Sequence, residues 1–424
     1  MFWGRSAVLR RLADLRPGEA AKVLPAALWF CCLLTTNYTL RPLREAMGVA
    51  GGVDQLHWLF TATFLVMLAA VPLYGLAVAR LGRARIVPIV HRFFALHLLL
   101  FFALMQGWLG DGELVRIWTA RVFFVWTSVF NLFVISLFWS VMADLFDGGD
   151  ARRLFGLISV GGSVGAIAGP ALGGLLSWWL APSVLPLVGV VLLEAAVWAM
   201  KASGSSTERE HEQAPVGGGA WSAIPDLLSS PLLLGICAYV LLLTISSTTV
   251  YFIQARIIEE AFVDDRTRTS VFAAIDLIVN VTSLITQTIL TGRVIRRIGL
   301  GLTLATLPCM CLIGLVGLAA APAFASLVGF QILRRAGDYA LARPAREVLY
   351  TAVDRSRRYK AKSLIDTVVY RGGDALTGWA FAGLQALGLS LGAVALVVAP
   401  LTALWLAVGM WLGRRADADR GPNP

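Results

Sequence analysis

Apolar runs long enough to cross a bilayer recur along this chain, each followed by a short polar stretch. A helical crossing takes about 20 residues, and twelve runs qualify. They are Lys22–Thr39, His57–Ala79, Ile86–Gln106, Leu114–Val141, Leu154–Trp179, Leu185–Ala199, Leu232–Phe252, Ser270–Leu290, Leu300–Ala320, Ala323–Ala342, Ser363–Leu387 and Leu391–Trp411. The sixth is short, and its outer end is placed near Pro182. One stretch reads as a linker: Lys201–Ala220 is polar, Gly/Ser-rich and of mixed charge, so it is expected to be flexible. It separates six spans from six. The expected organisation is a lead-in at 1–21, a six-helix bundle at 22–200, a linker at 201–230, a second six-helix bundle at 231–412 and a tail at 413–424. The fold class predicted is an all-α polytopic membrane protein of twelve helices in two pseudo-symmetric bundles.

Composition agrees: 58% of the 424 residues are apolar and only 15% charged, whereas a soluble domain is nearer a quarter charged. The net charge of +10 is unevenly spread. With the N-terminus inside, the arginines before Lys22 and those at 80–85, 152–153, 293–297 and 355–358 all face the cytoplasm, while the opposite loops hold few. The positive-inside bias therefore predicts both termini cytoplasmic. Topology accounts for the basic balance, and no nucleic-acid partner is needed to explain it. Ala/Arg/Leu-rich usage points to a bacterial inner membrane. The first residues mix Arg with Asp14 and Glu19, and no small-residue cleavage site follows the first span; a cytoplasmic amphipathic lead-in is expected, not a cleaved signal. Cys31, Cys32, Cys237, Cys309 and Cys311 all lie inside predicted helices without metal or redox spacing. His57, His91, His97 and His211 are scattered, and no phosphate-cradling loop or nucleophile constellation is present. No enzyme, cofactor or metal site is predicted.

The chemistry lies in charges placed within the spans. Between Leu333 and Asp374 the chain carries Arg334, Arg335, Asp338, Arg343, Arg346, Glu347, Asp366, Arg371 and Asp374. A charge at mid-bilayer costs roughly 2.5–3.5 kcal/mol unless it faces protein, water or a ligand. A net positive set of this kind predicts a polar cavity for an anionic solute. Arg334 and Asp338 are four apart and can pair, as can Arg371 and Asp374. Such pairs are either structural neutralisation or part of a binding site. Arg41 and Arg44 share one helix face where the first span meets the outer leaflet; they either snorkel to headgroups or hold an anion. Asp276, Asp338 and Asp374 are candidates for coupling, since a carboxylate that loses its cation binds a proton more readily. Ser128 and Asn131 share a face for interhelix hydrogen bonds or cavity lining. Trp126, Trp139, Phe123 and Tyr339 either pack or stack on a planar ligand. Glu194 shows no obvious partner.

The halves echo each other. Asp144 matches Asp354 at a shift of 210 residues, and Gly161-Gly162 matches Gly372-Gly373 at 211. Basic turns at Arg80–Arg85 and Gly292–Gly299 also correspond. Two parallel six-helix repeats are the organisation of the major facilitator superfamily. The Gly75-x-x-x-Ala79-Arg80-x-Gly82-Arg83-x-Arg85 string resembles that superfamily's signature between its second and third helices, with Ala79 in place of the usual Asp. The glycines at 161, 162, 165, 169, 173 and 174, with Pro170, resemble its fifth-helix signature. They mark either a close packing seam or a mechanistic element.

Three further strings, Asn37–Gly48, Asn131–Asp144 and Tyr359–Asp374, resemble bacterial relatives of the nucleotide transporters, the ATP:ADP antiporter family. Of four signature charges in that family, the resemblance keeps one, at Arg44. The fourth-helix acid has only Ser128 and Asn131 nearby, the seventh-helix acid only Tyr251 and Gln254, and the eleventh-helix lysine position is Asp374. The resemblance implies a secondary transporter working by alternating access. The expected cargo is an organic anion, nucleotide-like or otherwise phosphorylated or carboxylated, held by Arg41, Arg44, Asn131, Arg334, Arg335 and Arg371. Its partners are that solute and the lipid bilayer. A proton-coupled exporter of lipophilic molecules is the second reading, and a non-transporting scaffold or lipid scramblase the third.

Overall fold

A computed structural model describes residues 16, 19–81, 83–146, 148–204, 224–351, 353, 357, 361–362 and 364–418. The lead-in expected before Glu19 and most of the 201–230 linker lie outside the described residues. Among the described residues the secondary structure is helical throughout, with no strand. Twelve helices carry the fold among the described residues. They are α1 (Ala20–Ala50), α2 (Leu56–Leu81), α3 (Arg83–Met105), α4 (Glu113–Leu145), α5 (Gly148–Trp179), α6 (Leu185–Ala202), α7 (Pro231–Ala261), α8 (Asp265–Thr286), α9 (Gly292–Ala320), α10 (Phe324–Gly337), α11 (Tyr370–Ala386) and α12 (Leu391–Ala418). A short helix, Ile224–Ser229, precedes α7, and Arg343–Tyr350 continues α10.

Nine stretches of the described residues are long and apolar enough to cross a membrane. One of them, Asp265–Ala320, is 56 residues long and holds two crossings, because Gly299 takes φ 78° and breaks it. A left-handed φ is open to glycine at no steric cost. The tenth and eleventh crossings fall below the threshold for charge or length, and they carry the candidate site.

Several ends differ from the sequence expectation. α1 runs eleven residues past Thr39 to Ala50, so Arg41 and Arg44 sit within a continuous helix. α7 likewise continues past Phe252 to Ala261, with Arg256 bonded to Glu259 at 3.0 Å one turn on. In both, charges pair along the helix face, and a paired charge gives no reason for the helix to stop.

The chain forms two compact units: unit 1 is Met1–Gly51, Ala69–Gln213 and Asp264–Leu277, and unit 2 is Gly52–Leu68, Ala214–Val263 and Ile278–Pro424. In unit 1 the glycine seam of α5 lies against α1. A Cβ on Gly161 would strike the Ala27 carbonyl, one on Gly165 the Cys31 carbonyl, and one on Gly169 the Tyr38 side chain. Only glycine allows that backbone approach, and Thr39 Oγ1 donates to the Gly169 carbonyl at 3.1 Å across it. Trp29, Phe30 and Phe138 fill the core beside the seam, with Trp29 donating to buried His91 at 3.1 Å. Trp126 and Trp139 pack on phenylalanines of this core, Trp126 at 5.3 Å from Phe130 and Trp139 at 5.3 Å from Phe138.

In unit 2, α9 and α12 approach closely at Gly301 and Gly413. Buried Tyr239 donates to the Leu304 carbonyl at 3.0 Å, which ties α7 to α9. Three π-helical turns, Gln287–Thr291, Asp338–Ala342 and Ile365–Val369, interrupt its helices.

Candidate functional site

Unit 1 gathers four charges. Arg41 and Arg44 project from α1, and Glu45 stands beside them on the same helix. Arg44 Nη1 donates to Glu45 Oε1 at 2.7 Å, while Arg41 Nε lies 3.9 Å from that same oxygen. Asp276, midway along α8, reaches Arg41 at 3.6 Å. Arg44 also lies over the Phe124 ring at 3.7 Å and donates to the Phe124 carbonyl at 3.2 Å. Two cations therefore meet two carboxylates. Glu45 and Asp276 are both buried, with side chains 8% and 4% exposed. A buried carboxylate needs such partners, since an unpaired one costs several kcal/mol. Asn131 lies two turns further along α4 than Phe124, and its buried Oδ1 has no hydrogen-bond partner among the described residues.

Unit 2 holds the rest, and its balance is different. The pair expected between Arg334 and Asp338 does not form. Asp338 opens a π-helical turn, in which the backbone N–H of Arg343 bonds to the Asp338 carbonyl. That five-residue period brings Arg343, not Arg334, over the carboxylate, and Arg343 Nε donates to Asp338 Oδ2 at 3.0 Å. Arg343 also covers the Tyr339 ring at 4.4 Å. On α11, Arg371 and Asp374 pair at 3.6 Å as their spacing predicted, and Asp374 accepts 2.6 Å from Thr248 of α7.

Arg334 is left with no carboxylate partner within ion-pair distance among the described residues. It is 8% exposed. Its Nε and Nη2 donate to Gln331 Oε1 at 3.0 and 2.8 Å. Gln331, itself 2% exposed, donates through Nε2 to Gln254 Oε1 of α7. Arg335, one residue on, is half-buried. Thr248 and Gln331 are partners that the sequence did not single out, while Arg343, Gln254 and Glu45 stood out in it without these contacts. Glu45 was visible four residues after Arg41, and the two glutamines as polar side chains in apolar helices.

Among the described residues no group of three His, Cys, Asp or Glu is placed to hold a metal ion. Outside the spans, Glu19 accepts from Arg153 at 2.8 Å where α1 and α5 begin. The Arg153 guanidinium holds the Glu19 carboxyl below its ordinary range.

The helices and their buried charge define a multi-pass membrane protein. Residues 27–333 match the model of the Major Facilitator Superfamily. The chain belongs to that superfamily, a family of transporters. It is 26% identical over 467 aligned positions to ADP,ATP carrier protein 1 of Chlamydia trachomatis, covering 93% of this chain and 87% of the relative. Solved structures share the fold. A bacterial homologue of the iron transporter ferroportin matches with TM-score 0.66 at 15% identity, over 92% of this chain and 98% of that one. A bacterial homologue of the human lysosomal transporter Spinster matches with TM-score 0.64 at 13% identity, over 96% and 100%. The nucleoside transporter NupG matches with TM-score 0.58 at 11% identity, over 96% and 100%.

Proposed function

We propose that the protein is a secondary transporter carrying an organic anion across the inner membrane, its site opening to each side in turn. The observation that carries this reading is Arg334, a buried cation whose only hydrogen-bond acceptor among the described residues is a neutral amide. A permanent charge in that setting is balanced when an anion binds, and a guanidinium suits phosphate or carboxylate because of its paired donors. Arg335 lies beside it for a second contact. The Arg41–Arg44–Glu45–Asp276 cluster carries no net charge, so its role is coupling: Asp276 and Asp374 each stand against an arginine. Similarity to an ADP,ATP carrier favours phosphorylated cargo, and the altered signature charges argue for a solute other than ATP. Both termini face the cytoplasm, in keeping with the basic residues at 80–85 and 293–297.

The test is a thermal-shift series on purified protein with nucleotides, sugar phosphates, carboxylates and lipophilic cations. Binding at 100 times Kd stabilises by about 2.7 kcal/mol, so an anionic hit raises the melting temperature. Stabilisation by cations alone overturns the anion reading. Proteoliposome exchange then separates anion antiport, which needs internal anion, from proton-driven export, which needs only a pH gradient.

A further inference from the structure

We infer that Gln331, held in turn by Gln254, is a positioning and specificity-determining residue of the anion site. It keeps Arg334 charged, oriented and open to a ligand. This rests on the functional reading just given.

The three side chains form a one-directional chain. Gln331 Oε1 accepts both Nε and Nη2 of Arg334, at 3.0 and 2.8 Å. That occupies one edge of the guanidinium and fixes its plane, while Nη1 has no hydrogen bond to a described residue. Gln331 Nε2 then donates to Gln254 Oε1. The second bond fixes which way the Gln331 amide points. Were it reversed, an N–H would face the cation. Gln254, Gln331 and Arg334 are 5%, 2% and 8% exposed, so bulk water does little of this work.

The choice of amide over carboxylate is what assigns the role. Two other arginines of unit 2 take acids: Arg343 takes Asp338 at 3.0 Å, and Arg371 takes Asp374 at 3.6 Å. A glutamate at 331 would fit the same space and neutralise Arg334 with a bidentate pair. A glutamine satisfies two of the donors yet leaves the charge whole. For mere stability of a buried arginine, an acid is the better partner; an amide suits a cation whose counter-charge arrives with the substrate. The ligand class that follows carries a compact anionic group, phosphate or carboxylate, whose oxygens meet the Nη1 edge.

The experiment compares the unaltered full-length protein with Gln331→Glu and Gln254→Leu, using inorganic phosphate, ADP and citrate as probes. Melting temperature without ligand and its rise with each probe are both read. Gln331→Glu is expected to melt no lower than the unaltered protein while its affinity for the responding probe falls at least tenfold. Gln254→Leu is expected to weaken that probe several-fold by freeing the amide to turn. A structural role alone gives the opposite pattern, a lower melting temperature with the response to the probe retained, and that result overturns the inference while leaving the anion reading standing. If the unaltered protein responds to none of the anions, both fall together. Should Gln331→Glu not fold, Gln254→Leu decides by the same criterion.

Discussion

Asp276→Asn tests the charge balance of unit 1. At 3.6 Å from Arg41, the carboxylate contributes a gross attraction of about 4–5 kcal/mol at an effective dielectric near 20. Two features reduce the net loss. The asparagine no longer bears the desolvation cost of a buried carboxylate, which is itself several kcal/mol. Arg41 also keeps Glu45 at 3.9 Å and is 28% exposed, so it is not stranded. The expected destabilisation is about 1–3 kcal/mol, below the roughly 3–5 seen when a buried charge is left alone. The assay is a double-mutant cycle with Arg41→Gln, followed by denaturant titration of the purified protein in detergent. The double variant should lose less than the two single losses added together, by about 1–2 kcal/mol. Hydrogen exchange at residues 265–277 should also quicken in Asp276→Asn, because this pair ties the middle of α8 to α1. Additivity within ~0.5 kcal/mol, with unchanged exchange, would refute the coupling.

Gly165→Val should drive a side chain into the Cys31 carbonyl and cost about 1–3 kcal/mol by overpacking, read as a lower melting temperature; Gly156→Ala, with nothing within 4 Å of its Cβ, serves as the control. The Glu19–Arg153 pair sets an acid limit. Glu19 has its folded pKa lowered from 4.5, so its contribution is complete above that value and disappears as pH falls below it. Melting curves taken from neutral pH downward should show an extra loss below about 4.5 that Arg153→Gln abolishes.

The sequence and the structure agree where a single run of residues holds the answer and part where phase or pairing does. Most crossings were legible because their apolar length reaches what a bilayer needs. The end of α1 was not, since hydropathy counts Arg41, Arg44 and Glu45 as three solvated charges, whereas they satisfy one another within the helix. Glu194 looked partnerless for the same reason, its Arg92 lying 102 positions away in the chain and 3.2 Å away in space. Arg371–Asp374 followed from ordinary helical spacing; Arg334–Asp338 failed because the π turn that opens at Asp338 brings Arg343 over its carboxylate instead. The arginines of the candidate site could be named in advance, but not which of them lacks an acid, as that depends on Gln331 and Gln254 meeting from two helices.

The wide turn at Ile365–Val369 also bears on how the two halves came to differ. A π turn accommodates one residue more than an α turn. The internal echo lengthens from 210 at Asp144 and Asp354 to 211 at the paired glycines, and this turn falls in that very interval, whereas α5 runs through the matching stretch without one. A duplicated ancestor that acquired a single codon here would absorb it as a local widening, keeping the glycines downstream in step while giving the second copy a kink its twin lacks.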